Sequence, residues 1–139
     1  MSGGRGILDT STVILMGRLS DPTDLPDEPL ITAITLAELS VGPLVTDDEH
    51  ERAARLTHLQ QAESDFDAIA FDATAARAFG RVAAGLRTAG RKPAARAYDA
   101  LIASVAIAQN LPLHTCNPQD FTGIPELDLR AVPHPDRDR

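Results

Sequence analysis

Five polar side chains fall where apolar runs begin or end. Asp9 follows Gly6-Ile7-Leu8, Glu38 lies just past Leu30-Ile31-Thr32-Ala33-Ile34, and Asp99 opens a long apolar stretch. Asn117 and Asp120 follow Leu111-Pro112-Leu113-His114-Thr115. Singly, each has an ordinary explanation. Asp9 suits a helix start, Thr35-x-x-Glu38 matches a capping box, Asp99 suits the positive end of a helix dipole, and Asn117 suits an N-cap. Capping does not explain why acids from distant segments collect on one rim. Nor does it require Asp99 in a helix otherwise made of Ala, Leu, Ile and Val. Three carboxylates gathered without a counter-charge repel one another and take up protons. A cation resolves the conflict, and oxygen ligands without Cys or His favour Mg²⁺ or Mn²⁺. Such an ion binds phosphate, acidifies a bound water and neutralises charge developing on a phosphodiester. The chemistry implied is phosphodiester hydrolysis.

The elements that must position these groups alternate along the chain. Gly6 to Leu8 reads as a strand, and the cap-type residues Asp9-Thr10-Ser11 introduce a helix through Val13 to Met16. Asp21 to Pro29 is a proline-rich acidic loop, Leu30 to Ile34 a second strand, and Thr35 to Leu39 a helix stopped by Gly42-Pro43. Asp47 to Glu63 is a longer polar helix with Leu56 and Leu59 inward, antiparallel to the one before it. Phe66 to Phe71 is a third strand candidate. Ala73 to Ala89 is amphipathic, with Ala75, Phe79, Val82 and Leu86 opposite Arg77, Arg81 and Arg87. After the loop Arg91-Lys92-Pro93, Ala97 to Asn110 is apolar nearly all round and so is buried. Leu111 to Thr115 is a strand, Asn117 to Phe121 a helical turn, and Leu127 to Val132 an edge strand. The tail from Pro133 to Arg139 is expected to fray. This alternation describes an α/β fold with a mostly parallel central sheet and helices on both faces, in which ligands sit beyond the carboxyl ends of the strands.

The chain of 139 residues is expected to form one domain over 1–139, and 43% apolar residues supply its core. A formal charge of −7 excludes a generic basic coat for nucleic acid, so any RNA contact must be local. One cysteine, Cys116, and four scattered histidines build neither a disulfide nor a structural zinc site. No apolar segment reaches the roughly 20 residues of a membrane span, and no signal peptide is evident, so the expected location is cytoplasmic.

The motifs Leu8-Asp9-Thr10-Ser11, Thr35-x-x-Glu38-Leu39, Asp99-Ala100-Leu101-Ile102-Ala103 and Thr115-Cys116-Asn117-Pro118-Gln119-Asp120-Phe121, in this order over nearly the whole chain, resemble a PIN-domain ribonuclease. Within that superfamily the chain is similar to the VapC-type toxins of bacterial toxin–antitoxin pairs. The resemblance implies a PIN-like fold, a Mg²⁺- or Mn²⁺-dependent endoribonuclease leaving 5′-phosphate and 3′-hydroxyl ends, a homodimer, and a cognate antitoxin that silences it. It implies Asp9, Glu38 and Asp99 as catalytic metal-binding acids, with Thr10 or Ser11 holding a water or substrate oxygen. Asn117 takes a neutral ligand or hydrogen-bonding role, where PIN proteins often carry Asp, and Asp120 an outer role. Tyr98 also departs from the toxin pattern, which often has a polar residue there.

Between Ala73 and Ala97 lie five arginines and one lysine and no acid. Arg77, Arg81 and Arg87 are read as a solvated face, and Arg91, Lys92 and Arg96 as candidate contacts to RNA phosphates. Arg96 has an equal claim to pair with a strand-end acid. The helices after Ser11 and Thr35 carry apolar residues suited to an antitoxin groove. The rival readings are a PIN-like partner-binding module with impaired catalysis, and a receiver-type phosphoacceptor domain. The second wants paired acids after the first strand and a lysine near the last. Here Thr10-Ser11 follows Asp9, and the sole lysine is Lys92.

Overall fold

The computed structural model describes residues 4–92 and 96–137. Among them, strands Arg5–Leu8 (β1), Glu28–Thr32 (β2), Ala68–Ile69 (β3), Leu113–Thr115 (β4) and Leu129–Ala131 (β5) form one sheet in the order β3-β2-β1-β4-β5. Every neighbouring pair is parallel. Helices Thr10–Leu15 (α1), Ala33–Val41 (α2), Glu49–Asp65 (α3), Ala73–Thr88 (α4) and Ala97–Gln109 (α5) connect the strands. The chain starts at the centre with β1, builds outward through β2 and β3, then returns to add β4 and β5 on the other side. Strand order therefore reverses between β1 and β4, and beyond their carboxyl ends a parallel sheet opens a crevice.

Alternate side chains of the strands feed two cores. Ile7, Leu30 and Leu113 pack with Ala75, Val82 and Leu86 of α4 and with Ile102, Ala103 and Val105 of α5. Ile31, next to Leu30, points the other way and packs with Leu39 of α2, Ala62 of α3 and the half-buried Val13 of α1. The sheet is covered on both faces, as the apolar runs predict. Val82 and Leu86 are 2% exposed while Arg77, Arg81 and Arg87 stay in solvent. Each such apolar side chain contributes about 1.5–3 kcal/mol. No helix among the described residues is long and apolar enough to cross a membrane.

Several boundaries differ from the sequence reading for local reasons. β2 begins at Glu28 because its register sets Glu28 against Arg5 and Pro29 against Gly6. It ends at Thr32 because the Thr32 hydroxyl accepts the Thr35 amide and caps α2. Thr35 is therefore inside the helix, and Glu38 is not a capping-box acid. Gly42-Pro43 does not stop the helix cleanly: a 3₁₀ turn over Gly42–Leu44 continues it, held by Arg55, whose Nη1 donates to the Gly42 carbonyl at 2.9 Å. Leu56, expected inward, is 42% exposed, whereas Leu59 packs against the smaller core. β3 shrinks to two residues. Asn110 ends α5 in the left-handed conformation, with φ of 57°, and delays β4 to Leu113. Residues 133–137 are tied down: Arg18 pairs with Asp136, and Arg137 donates to Asn117. Pro93 of the expected loop lies outside the described residues.

Candidate active site

Asp9 directly follows β1 and caps α1, and it is 3% exposed at the reversal point. Burial of a carboxylate requires donors, and four surround it. Oδ1 accepts the Thr12 amide at 3.1 Å and the Thr12 hydroxyl; Oδ2 accepts the Ser11 hydroxyl at 2.9 Å and the Thr115 hydroxyl at 3.0 Å. Thr12 Oγ1 in turn accepts the Cys116 amide at 3.0 Å, which ties the end of β1 to the end of β4.

Glu38 reaches the same rim from the second turn of α2. Thr10 donates its hydroxyl to Glu38 Oε1 at 2.6 Å, so its bond with Thr35 at 3.0 Å has the Thr35 hydroxyl as donor. Asp99 stands in the first turn of α5 and Asp120 in the 3₁₀ turn Pro118–Phe121; their side chains are 23% and 22% exposed. Arg96 sits between them, with Nη2 at 3.2 Å from Asp120 and Nη1 at 4.0 Å from Asp99. Of its two sequence readings, Arg96 thus takes the pairing role. Arg91 donates to Thr122, and Lys92 is exposed.

Asn117 does not cap the turn it precedes. Its Nδ2 donates to Ser11 Oγ at 3.0 Å, its Oδ1 accepts from Arg137, and its backbone amide donates to Thr115 Oγ1 at 2.9 Å. Thr12 and Arg137 are not singled out by the sequence reading, and Thr35 and Thr115 enter it only as members of motifs, with no role at the site. The Thr12 hydroxyl stands three residues after Asp9, a spacing at which a helix N-terminus folds one side chain back on the other, and that signal was present. For Arg137 there was none.

The acids feel one another. Burial first, and then the charges of Asp9, Asp120 and Glu38, push the Asp99 carboxyl up to about 6, against the opposing pull of Arg96. Burial raises Glu38 too; the Thr10 hydroxyl opposes this and the charge of Asp9 adds to it. For Asp9, burial outweighs its hydrogen bonds and the shift is upward. Four carboxylates from four separate elements therefore share one electrostatic field. Among the described residues, no group of three His, Cys, Asp or Glu side chains stands where it could hold a metal ion. Hydroxyls hold Asp9 and Glu38, and Arg96 holds Asp99. The donor set itself, all carboxylate and hydroxyl oxygen with excess negative charge, fits a hard divalent ion.

The PIN domain family model matches residues 7–126. Ribonuclease VapC of Rickettsia bellii is 32% identical over 130 residues, covering 91% of this chain and 96% of that protein. Ribonuclease VapC5 of Mycobacterium tuberculosis is 37% identical over 121 residues, covering 86% of this chain and 87% of its own. A crystal structure of VapBC-5 from Mycobacterium tuberculosis, a member of the VapBC family of toxin-antitoxin systems, superposes with a TM-score of 0.76. That match has 33% identity and covers 93% of this chain and 98% of the other.

Proposed function

This chain belongs to the PIN domain family, in its VapC ribonuclease branch, and from that premise we propose that the acidic rim is the active site of a Mg²⁺- or Mn²⁺-dependent endoribonuclease. The observation that carries the reading is the placement of acids at the reversal point of the sheet: buried Asp9 at the end of the central strand, Glu38 tied to Thr10 next to it, and Asp99 and Asp120 joined by Arg96. Asp9, Glu38 and Asp99 would hold the ion. When bound, it supplies charge neutralisation at the phosphodiester and a more acidic attacking water.

The chain's own residues do the rest. Thr10 fixes one oxygen of Glu38, leaving the other to turn toward the ion. Ser11 and Thr115 hold Oδ2 of Asp9, and either hydroxyl can swing to a substrate oxygen when that atom is needed as a ligand. Asp120 draws Arg96 to the edge of the rim. There the guanidinium shields Asp99 and offers its remaining donors to phosphate.

The same reading makes the chain a toxin neutralised by an antitoxin. Supporting it, a groove of about 490 Å³ runs between α1 and α3, over Val13, Ile14, Met16, His58, Ala62 and Phe66. A second cavity of about 200 Å³ shares Ile14 and His58 with it and is lined as well by Leu39, Thr10 and Glu38. An amphipathic segment that filled both would cover Thr10 and Glu38 at the rim. The test is cleavage of labelled single-stranded RNA by the purified chain with Mn²⁺, with Mg²⁺ and with EDTA, beside Asp9→Asn. Metal-dependent cutting that Asp9→Asn abolishes supports the reading; equal cutting in EDTA or by the variant overturns it.

A further inference from the structure

The tail that closes over the end of β4 leaves a cleft of about 290 Å³ between itself and the turn after Asn117. Its walls include Pro118, Gln119, Ala131, Pro133, His134 and Arg137. Its size is near the lower end of the roughly 300–1,000 Å³ of small-ligand pockets. The wall is ordered by its own bonds. Val132 donates its amide to the Thr115 carbonyl at 2.8 Å, prolonging the β4–β5 ladder, and the Asp136 amide donates to His134 Nδ1 at 3.0 Å.

Two facts say what the cleft takes. The first is charge. Arg137 donates to the neutral Asn117 side chain and pairs with no carboxylate among the described residues. Asp136, next to it, is already matched by Arg18, and Arg96 by Asp120. On a chain with formal charge −7, Arg137 is thus a cation that no carboxylate among the described residues pairs, and its guanidinium, which carries five donors, makes one side-chain hydrogen bond among them. The second is connection. Arg137 holds Asn117, Asn117 holds Ser11, and Ser11 donates to Asp9. The cleft adjoins the acidic rim through a single side chain.

We propose that this cleft is a substrate subsite holding the nucleotide next to the bond that is cut, its base against the faces of Pro118 and Pro133 and a flanking phosphate on Arg137. The site rests on the nuclease reading for its place in the reaction, but binding there needs no metal. Proline and alanine walls select by shape rather than by stacking on aromatic rings, which agrees with the few aromatic residues in the chain. Gln119 and His134 supply the polar edge.

The experiment is fluorescence anisotropy of a fluorescein-labelled oligouridylate with the full chain in EDTA, across a salt series, for wild type, Arg137→Gln, Arg137→Lys and Ala131→Phe. Thermal melts establish that each variant folds. Arg137→Gln is expected to raise Kd about tenfold and to flatten the dependence of log Kd on log salt by about 0.7, the share of one phosphate contact on a single strand. Arg137→Lys restores the slope, and Ala131→Phe, which fills the cleft, raises Kd without altering it. Unchanged Kd in both Arg137→Gln and Ala131→Phe overturns the proposal, as does absence of binding to wild type at low salt. If Arg137 served only to hold Asn117, Arg137→Gln would lower kcat and leave the salt slope intact, which also overturns it. Cleavage retained by Asp9→Asn would defeat the nuclease reading instead, and leaves the anisotropy result to judge the subsite alone.

Discussion

Asn117 donates its side-chain amide to the Ser11 hydroxyl at 3.0 Å, although 106 positions separate them. Arg137 on Oδ1 and Ser11 on Nδ2 fix the orientation of that amide, so the Ser11 proton must point to Asp9. An amide at this position therefore directs a hydroxyl in a way a carboxylate cannot. With Asn117→Asp, Ser11 is drawn toward the new acid, and the added charge is expected to tighten Mn²⁺ binding severalfold. With Asn117→Ala, kcat is expected to fall about tenfold, as when the partner that orients a ligand is removed. Isothermal titration and steady-state kinetics check the pair. Identical Mn²⁺ affinity in Asn117→Asp would place Asn117 outside the metal's reach.

Replacing Asp9 separates chemistry from folding. Asp9→Asn keeps one carbonyl oxygen for the Thr12 donors, while its amide faces the Ser11 and Thr115 hydroxyls, which can rotate to accept. The expected stability loss is about 1 kcal/mol, against about 3 kcal/mol for Asp9→Ala, which strands several buried donors. RNA cleavage should fall at least about a hundredfold in both, since even residues that merely orient a ligand cost ten- to a hundredfold. Urea titration and a cleavage assay on the same preparations give both numbers. A catalytically intact Asp9→Asn would remove Asp9 from the site.

Asp99 gives the pH dependence its sign. Its carboxyl titrates near 6 in the folded chain against an ordinary 3.8. Between those values the native state holds a proton that the unfolded chain has released, so stability falls as pH rises through that window. With the side chain 23% exposed and partly screened, the full cost at pH 7 is about 1–2 kcal/mol. Asp99→Asn is therefore expected to be more stable than the metal-free parent at pH 7 by that amount, to match it near pH 4, and to lose activity. Saturating Mn²⁺ should narrow the gap by stabilising only the parent. Equal stability differences at both pH values would contradict the shared field of acids.

Much of this was legible because apolar periodicity and strand-end acids are local signals. The two faces of the sheet followed from adjacent residues such as Leu30 and Ile31, and Asp9, Glu38, Asp99 and Asp120 were all found at one rim. Hidden from the sequence was whatever depends on partners far along the chain. Thr115 looked like a strand residue until its hydroxyl met Asp9. Thr35 matched a capping motif, but Thr32 takes the cap because β2 ends two residues before Ile34. The tail reads as loose because nothing in Pro133 to Arg139 is strongly apolar; over residues 133–137 it is held by ion pairing of Asp136 to Arg18 and a bond from Arg137 to Asn117, and its last two positions lie outside the described residues.

Gly6 is where β1 approaches β4 too closely for a side chain. A Cβ there would stand 2.7 Å from both Cδ2 and Nε2 of His114, and 3.2 Å from Pro26 on its other flank. His114 is itself buried, and among the described residues its Nδ1 has no hydrogen-bond partner. Glycine inside a strand generally weakens it, so its presence here reflects this close approach. Gly6→Ala is expected to cost about 1–3 kcal/mol through overpacking. His114→Ala opens the space the new methyl needs, so the double variant should be more stable than the two single losses imply, by about 1 kcal/mol or more. Because β1 delivers Asp9 three residues later, Gly6→Ala should also lower cleavage, and the double variant should recover part of it. Urea denaturation of the four proteins in the cycle measures the coupling; strictly additive losses would mean that His114 does not hold β1 in place.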